Sequence, residues 1–180
     1  FHPRCYYRAD DKAPRQNWPA MIASVTDLGG AITGAHRTWL DPSVAGKAPI
    51  ETPRKAMGAL RGHAVRFGSS AEVMAAGEGI ETILSLRVVL SGVPMMAALS
   101  AAHLSAILFP DALRRLYIAR DIDPGGDGAV ATLTERAAAA GIEAITLSPR
   151  LGDFNEDLVA FGLDELRAIV RPQVHPVDVE

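Results

Sequence analysis

The chain has 180 residues, of which 48% are hydrophobic and 22% charged, and a net charge of −3. That length suits one ordinary domain, or a small catalytic domain with an appendage, and it can bury a packed core. The acidic balance argues against a module that only grips a phosphate backbone; the lone Cys5 excludes an internal disulfide and a cysteine-rich zinc site; and no run approaches the roughly 18 apolar residues of a membrane span. No secretory pattern opens the chain, so a cytoplasmic location with no membrane partner is expected. Its start at Phe1 rather than Met leads us to expect a piece of a longer protein.

Up to about residue 70 the pattern is that of a hairpin. Met21 to Asp27 predicts a strand, Leu28-Gly29-Gly30 a tight turn and Ala31 to Leu40 the returning strand. A Pro- and Gly-rich stretch runs from Asp41 to Pro53, Arg54 to Leu60 predicts a short helix, and Ala64 to Phe67 one more strand. Residues 1–70 therefore form a small α+β appendage with an antiparallel hairpin.

After residue 70 strands and helices alternate. Val73 to Ala76 predicts a buried strand, and Ile80 to Leu90 has apolar residues at helical spacing. Pro94 to Leu99 is a second strand, Ala101 to Leu108 a helix ended by Pro110, and Leu116 to Ala119 a third strand. Ala129 to Ala140 is a helix stopped by Gly141, Ile142 to Leu147 a fourth strand, and Asp164 to Val170 a last helix before a loose tail from Pro172. Such alternation predicts an α/β fold with a central, mainly parallel four-stranded sheet flanked by helices over 71–162, followed by a C-terminal helix and tail over 163–180.

In parallel sheets functional groups gather at the carboxyl ends of the strands, where this sequence places its acids. Glu78 follows the first strand within Gly77-Glu78-Gly79, Asp121-Ile122-Asp123 follows the third, and Asp153-Phe154-Asn155-Glu156-Asp157 follows the fourth. Each has an ordinary structural alternative: an acid at a helix N-terminus, an Asp/Pro/Gly turn and a helix-capping cluster, respectively. Together they are harder to dismiss. Two carboxylates at i and i+2 point to one side of an extended segment, and several acids at one rim repel one another unless a divalent ion sits among them. Magnesium takes oxygen ligands and one or two protein carboxylates, which points to phosphoryl-transfer chemistry.

At these residues the sequence resembles the Toprim family of primases, topoisomerases and nucleases, whose motif is a glutamate after the first strand and an Asp-x-Asp after the third. The run Gly77-Glu78-Gly79-Ile80-Glu81-Thr82 and the late Gly152-Asp153-Phe154-Asn155-Glu156-Asp157 are closest to primase-like Toprim proteins of plasmids, phages and other mobile elements. The weaker likeness of His36-Arg37-Thr38-Trp39-Leu40 and Gly46-Lys47-Ala48 extends the match upstream. The resemblance implies a Rossmann-like fold and a DNA primase, a DNA-directed RNA polymerase that makes primers from ribonucleoside triphosphates on single-stranded DNA. Glu78 would be the general acid or base and a metal ligand. Asp121, Asp123 and Asp153 would bind magnesium, for which manganese can substitute, with Glu81 and Asp157 as outer ligands. Two positions depart from the family pattern: Thr82 stands where replicative primases carry a further acid, and Gly152 where a basic residue often precedes the last acidic motif.

Basic residues concentrate in the appendage, and Arg37, Lys47, Arg54 and Lys55, with Arg120 beside the Asp-x-Asp, are candidate contacts to nucleic acid and nucleotide phosphates. Gly46-Lys47 lacks phosphate-loop spacing, so no NTPase motor is expected. Tyr117 falls in a buried strand, and Tyr6 and Tyr7 have no nucleophile context, which argues against a topoisomerase. Two rival readings stay open: a Toprim nuclease using water as nucleophile, and a non-catalytic nucleic-acid-binding module. Zinc-binding or helicase domains outside this chain are possible partners.

Overall fold

The computed structural model describes residues 1–178. The first part is a five-stranded antiparallel sheet. Strands β1 (His2–Tyr7), β2 (Gln16–Thr26) and β3 (Ile32–Asp41) lie in order, and β4 (Gly46–Lys47) and β5 (Arg54–Gly58) both pair with β3. The expected hairpin is β2–β3. Its turn closes when Asp27 accepts the Ala31 N–H at 2.9 Å on its side chain and the Gly30 N–H on its carbonyl, with Gly30 at φ 84°.

Residues 54–58 are a strand, not the expected helix. Arg, Lys, Ala and Met all favour helices, but five residues after a proline are too few to sustain one alone. The open edge of β3 offers a full ladder instead, from Gly34↔Gly58 to Thr38↔Arg54. Gly58 has φ 100°, and a Cβ there would lie 2.4 Å from the Thr33 carbonyl oxygen, so the strand end depends on glycine. This correction matters for function, because alternate residues of a strand point to opposite faces: Arg54 and Lys55 face apart.

The second part is a sheet of order β10-β9-β7-β8-β6. Strands β7 (Val73–Gly77), β8 (Met95–Ala97), β9 (Arg115–Ala119) and β10 (Glu143–Leu147) are the four parallel strands expected. Strand β6 (Val65–Phe67) adds an antiparallel fifth at the edge against β8. Helices α1 (Ile80–Arg87), α2 (Ala101–Ser105), α3 (Pro124–Ala139), α4 (Phe154–Phe161) and α5 (Leu163–Val170) accompany it. Each parallel strand feeds both layers of core. Ala75, Met95, Tyr117 and Leu147 pack with Ile83, Phe154 and Leu166, whereas Met74, Ala76, Met96, Leu116 and Ile118 pack with Leu104 and Leu133. The two parts are joined by the Thr26↔Ala64 bridge, with N–O distances of 2.9 and 3.2 Å, and by Val25, buried in the first of those layers.

The chain passes from β7 to β8 on one side and then to β9 on the other, so the strand order reverses between β7 and β9. A crevice opens at such a point, outside the carboxyl ends of the strands. Here the two ends approach closely: a Cβ on Gly77 would lie 2.9 Å from the Cβ of Ala119.

The segment from Pro172, expected to be a loose tail, is packed up to Asp178. Val174 is buried, and the Asp178 carboxylate accepts from the Tyr117 hydroxyl at 2.6 Å and from Arg115 at 2.7 Å. The neighbouring hydroxyl and guanidinium hold the Asp178 carboxyl below the usual range against the effect of burial. Asp178→Ala leaves the buried Tyr117 hydroxyl short of an acceptor and is expected to cost about 1–3 kcal/mol, read by urea unfolding at neutral pH. A depressed folded pKa means this contribution is present above the ordinary aspartate value and lost as pH falls through the folded one. The gap between parent and variant should therefore narrow in acid.

Candidate functional site

Glu78 leaves β7 in a bent segment whose backbone is pinned from β8. Its carbonyl accepts the Leu99 N–H at 2.8 Å, and the Gly77 carbonyl accepts the Ala98 N–H at 2.9 Å. Leu99 holds this bond at φ 77°, a left-handed conformation that costs a branched residue on the order of 1–2 kcal/mol.

Asp121 and Asp123 leave β9 in a tight turn. The Asp123 N–H donates to the Asp121 carbonyl at 2.9 Å, and the Asp123 carboxylate caps α3 by accepting the Gly126 N–H at 2.7 Å. A Cβ at Gly126 would lie 2.2 Å from the Asp121 carbonyl oxygen, so only glycine fits this turn.

Asp153 caps α4, accepting the Glu156 N–H at 2.8 Å on one oxygen and the Thr82 hydroxyl at 3.3 Å on the other. Its loop is tied to the Asp-x-Asp turn by a 2.7 Å bond from the Ile122 N–H to the Gly152 carbonyl.

These loops bring Glu78, Asp121, Asp123 and Asp153 within electrostatic reach of one another. The Asp121 carboxyl is pushed up to about 7, first by burial and then by Glu78, Asp153 and Asp123. Its strongest acidic neighbours thus lie across the sheet, not two residues along the chain. Burial and then Asp123 also raise Glu78, with Arg54 and the Ala101 backbone amide opposing them. Asp157 is not part of this group. It is fully buried, and its two oxygens accept the backbone N–H groups of Arg150 and Leu151, both at 2.8 Å, so it shapes the loop before Asp153. Glu81 forms a 3.0 Å ion pair with Lys47 of the appendage. Burial would raise Glu81, but Lys47 and Arg54 outweigh it and draw the carboxyl below the ordinary range.

Would the acids fit magnesium? One oxygen of Asp121 is buried with no hydrogen-bond partner, and the surrounding donors are hard carboxylate oxygens, the set that ion prefers. Among the described residues no three acids stand close enough to grip one ion unaided. That spacing agrees with the habit of magnesium of taking one or two carboxylates and completing its shell with water and phosphate oxygens. The residues therefore fit a divalent ion that completes its shell with oxygens from outside the protein.

The candidate basic residues divide between two faces. Arg54 acts electrostatically on Glu78 and Glu81, and with Lys47 it lines the appendage side of the acids. His36, also near this cluster, is held below its ordinary value by burial and then by Arg54, so it stays neutral at pH 7. Arg37 and Lys55 lie on the far face of the appendage sheet. Arg120 is held by Asp127 at 2.6 Å. Sequence reasoning did not pick out Thr82 and Ser85 as positioning groups. The Ser85 hydroxyl lies 3.4 Å from the Asn155 side chain, so α1 touches the late acidic loop twice. Their spacing of three residues on one helix face was the available signal.

Residues 73–164 match a family model described as a Toprim domain, and residues 1–67 match one described as a domain of unknown function (DUF7146). Among solved structures the chain is similar to the primase fragment of the bacteriophage T7 primase-helicase protein, at 15% identity and a TM-score of 0.60, over 92% of this chain and 66% of that one. It is similar to a DNA primase domain from Pseudomonas aeruginosa, at 15% identity and a TM-score of 0.59, over 96% and 57%. A third is the RNA polymerase domain of Mycobacterium tuberculosis primase DnaG in complex with double-stranded DNA, at 15% identity and a TM-score of 0.54, over 94% and 57%. At such identities the likeness speaks for the fold, and the chain spans about three fifths of the length of these structures. No curated protein matches the chain.

The raised Asp121 pKa carries a sign that can be checked. A carboxyl that holds its proton up to about 7 when folded, and only to its ordinary value when unfolded, stabilises the metal-free protein in acid; that contribution is lost as pH rises through 7. Thermal melts in EDTA from pH 5 to 8 should show the parent losing stability toward pH 8. Asp121→Asn should flatten the curve and melt higher than the parent at pH 8. Added magnesium should recover the parent at pH 8 and do little for the variant.

Proposed function

The chain belongs to the Toprim family, by the match over residues 73–164, and from that premise we propose that it is the catalytic core of a DNA primase, joining ribonucleotides on a single-stranded DNA template with magnesium. The observation that carries the reading is the convergence of acids from three different loops at one sheet rim, where burial and the neighbouring acids raise Asp121 and leave one of its oxygens unpartnered. Support also comes from extent: the likeness to primase structures covers 92% or more of the chain, appendage included, which a bare Toprim fold would not give. We assign residues 1–70 to template and nucleotide handling and 71–162 to catalysis, with 163–178 packing against the sheet through Leu166, Val170 and Val174.

Bound magnesium would neutralise phosphate charge and lower the pKa of a coordinated hydroxyl. Asp121, Asp123 and Asp153 would hold it, and its charge would relieve a repulsion that a proton on Asp121 otherwise eases. Glu78, raised above the ordinary glutamate range, is suited to take the proton from an attacking 3′-hydroxyl. Arg54 faces the same rim and would contact the triphosphate. Lys47, already paired with Glu81, would do so by exchanging that carboxylate for a phosphate oxygen.

Asp123→Asn is the sharpest single test, because asparagine keeps an oxygen to cap α3 while removing the charge. We expect an unchanged melting temperature within a few degrees and at least a hundredfold loss of magnesium-dependent primer synthesis from labelled nucleotides on single-stranded DNA. Full synthesis by the variant would end the metal assignment. Parent protein that cleaves nucleic acid without elongating primers would transfer the site to a nuclease. Arg54→Gln should raise the KM for nucleotide about tenfold with little change in kcat, since it removes a contact to the bound triphosphate rather than one made in the transition state.

A further inference from the structure

The face of the appendage sheet turned away from the acids carries a built concavity. In the β3–β5 ladder Arg54 is opposite Thr38 and Lys55 opposite Arg37. Arg54 acts on Glu78, so Arg37 and Lys55 point to the other side of the sheet. There they join Tyr6, Arg8, Arg15 and Trp39 around a cavity of about 330 Å³, roomy enough for a single nucleotide unit.

Two properties of this cavity point to a ligand. One is uncompensated positive charge. Four cations line it, and among the described residues none forms an ion pair with an acid. The two carboxylates at its edge are Asp10, already accepting the Lys12 and Ala13 backbone N–H groups at 2.7 Å each, and Asp11. The Nε of Arg8, the Nε of Arg37 and the indole nitrogen of Trp39 are buried without partners. Lys55 is anchored, donating to the carbonyls of Arg8 at 2.6 Å and Ala9 at 3.0 Å, so it fixes the loop that supplies Arg8. The other property is a half-exposed aromatic ring flanked by guanidiniums. That of Arg37 lies 4.9 Å from the Trp39 ring centre and 5.6 Å from that of Tyr6, and that of Arg15 lies 5.9 Å from the Tyr6 ring centre, while Tyr6 remains 55% exposed. An exposed ring beside planar cations is the combination that stacks a base and holds its phosphate.

We propose that this outer face binds single-stranded nucleic acid, stacking one base on Tyr6 and seating the adjoining phosphate among Arg8, Arg15 and Arg37. The site is separate from the acidic rim and needs no metal. It holds whether the rim polymerises or cleaves, and it would give the strand a second hold on the far side of the sheet.

The test measures fluorescence anisotropy of a labelled oligothymidylate in EDTA, so that no metal-dependent contact contributes, with the whole chain. Tyr6 and Arg15 are exposed, so their variants keep the fold. Tyr6→Ala should weaken binding about tenfold and Tyr6→Phe hardly at all, because phenylalanine keeps the stacking face. Arg15→Gln should lower the salt slope by about one phosphate contact. An abasic phosphodeoxyribose chain of the same length should bind more weakly than the oligothymidylate and ignore Tyr6→Ala. The inference is overturned if Tyr6→Ala binds like the parent, or if the abasic chain or an oligoglutamate binds as tightly as the DNA, since a plain basic patch would then suffice.

Discussion

Repulsion among carboxylates is the constraint around which this molecule is arranged. Acids from three loops share one rim, and Asp121 is displaced to about 7 by burial and by neighbours carried on other strands. Left to themselves such groups would move apart. They are held because the backbone beneath them is fixed: Gly77 against Ala119, the Asp-x-Asp turn closed around Gly126, and the last acidic loop tied to it through Ile122 and Gly152. The sheet thus holds an unfavourable charge arrangement of the kind that a divalent cation relieves.

The appendage answers the same constraint from the opposite side. Lys47 and Arg54 bring positive charge to Glu81 and Glu78, joining the two parts electrostatically where Thr26, Ala64 and Val25 join them by hydrogen bonding and packing. Because β5 is a strand, its two adjacent cations serve opposite faces. Arg54 looks toward the acids, and Lys55 braces the loop that presents Arg8. A helix in that place would have left the two side chains about 100° apart around one axis and merged the two surfaces.

Much of this was legible in the sequence. The alternation of strand and helix after residue 70 identified the four parallel strands, and the positions of Glu78, Asp121, Asp123 and Asp153 after them placed all four at one rim. What escaped detection did so for physical reasons. Residues 54–58 have helical propensity, and only the free edge of β3, distant in sequence, overrides it. Helix α4 entered only through the ordinary alternative for Asp153-Phe154-Asn155-Glu156-Asp157, a helix-capping cluster, and that alternative holds as well: Asp153 is the N-cap and Phe154 lies wholly in the core. The family resemblance made Asp157 an outer ligand, yet burial turned both its oxygens toward backbone amides. The packing of Val174 and Asp178 depends on Tyr117 and Arg115, some 60 residues earlier, which no local pattern reveals.

Leu99 links the rim to a trade that selection and protein engineers would face alike. It sits at φ 77°, where glycine would rest without strain, and its amide holds the carbonyl of Glu78. Exchanging it for glycine would remove an unfavourable torsion but also the side chain packed against the core, loosening the segment that aims the glutamate. The packing lost with the leucine side chain outweighs the torsion relieved, so the strained residue is the more stable choice as well as the one that holds the glutamate in place.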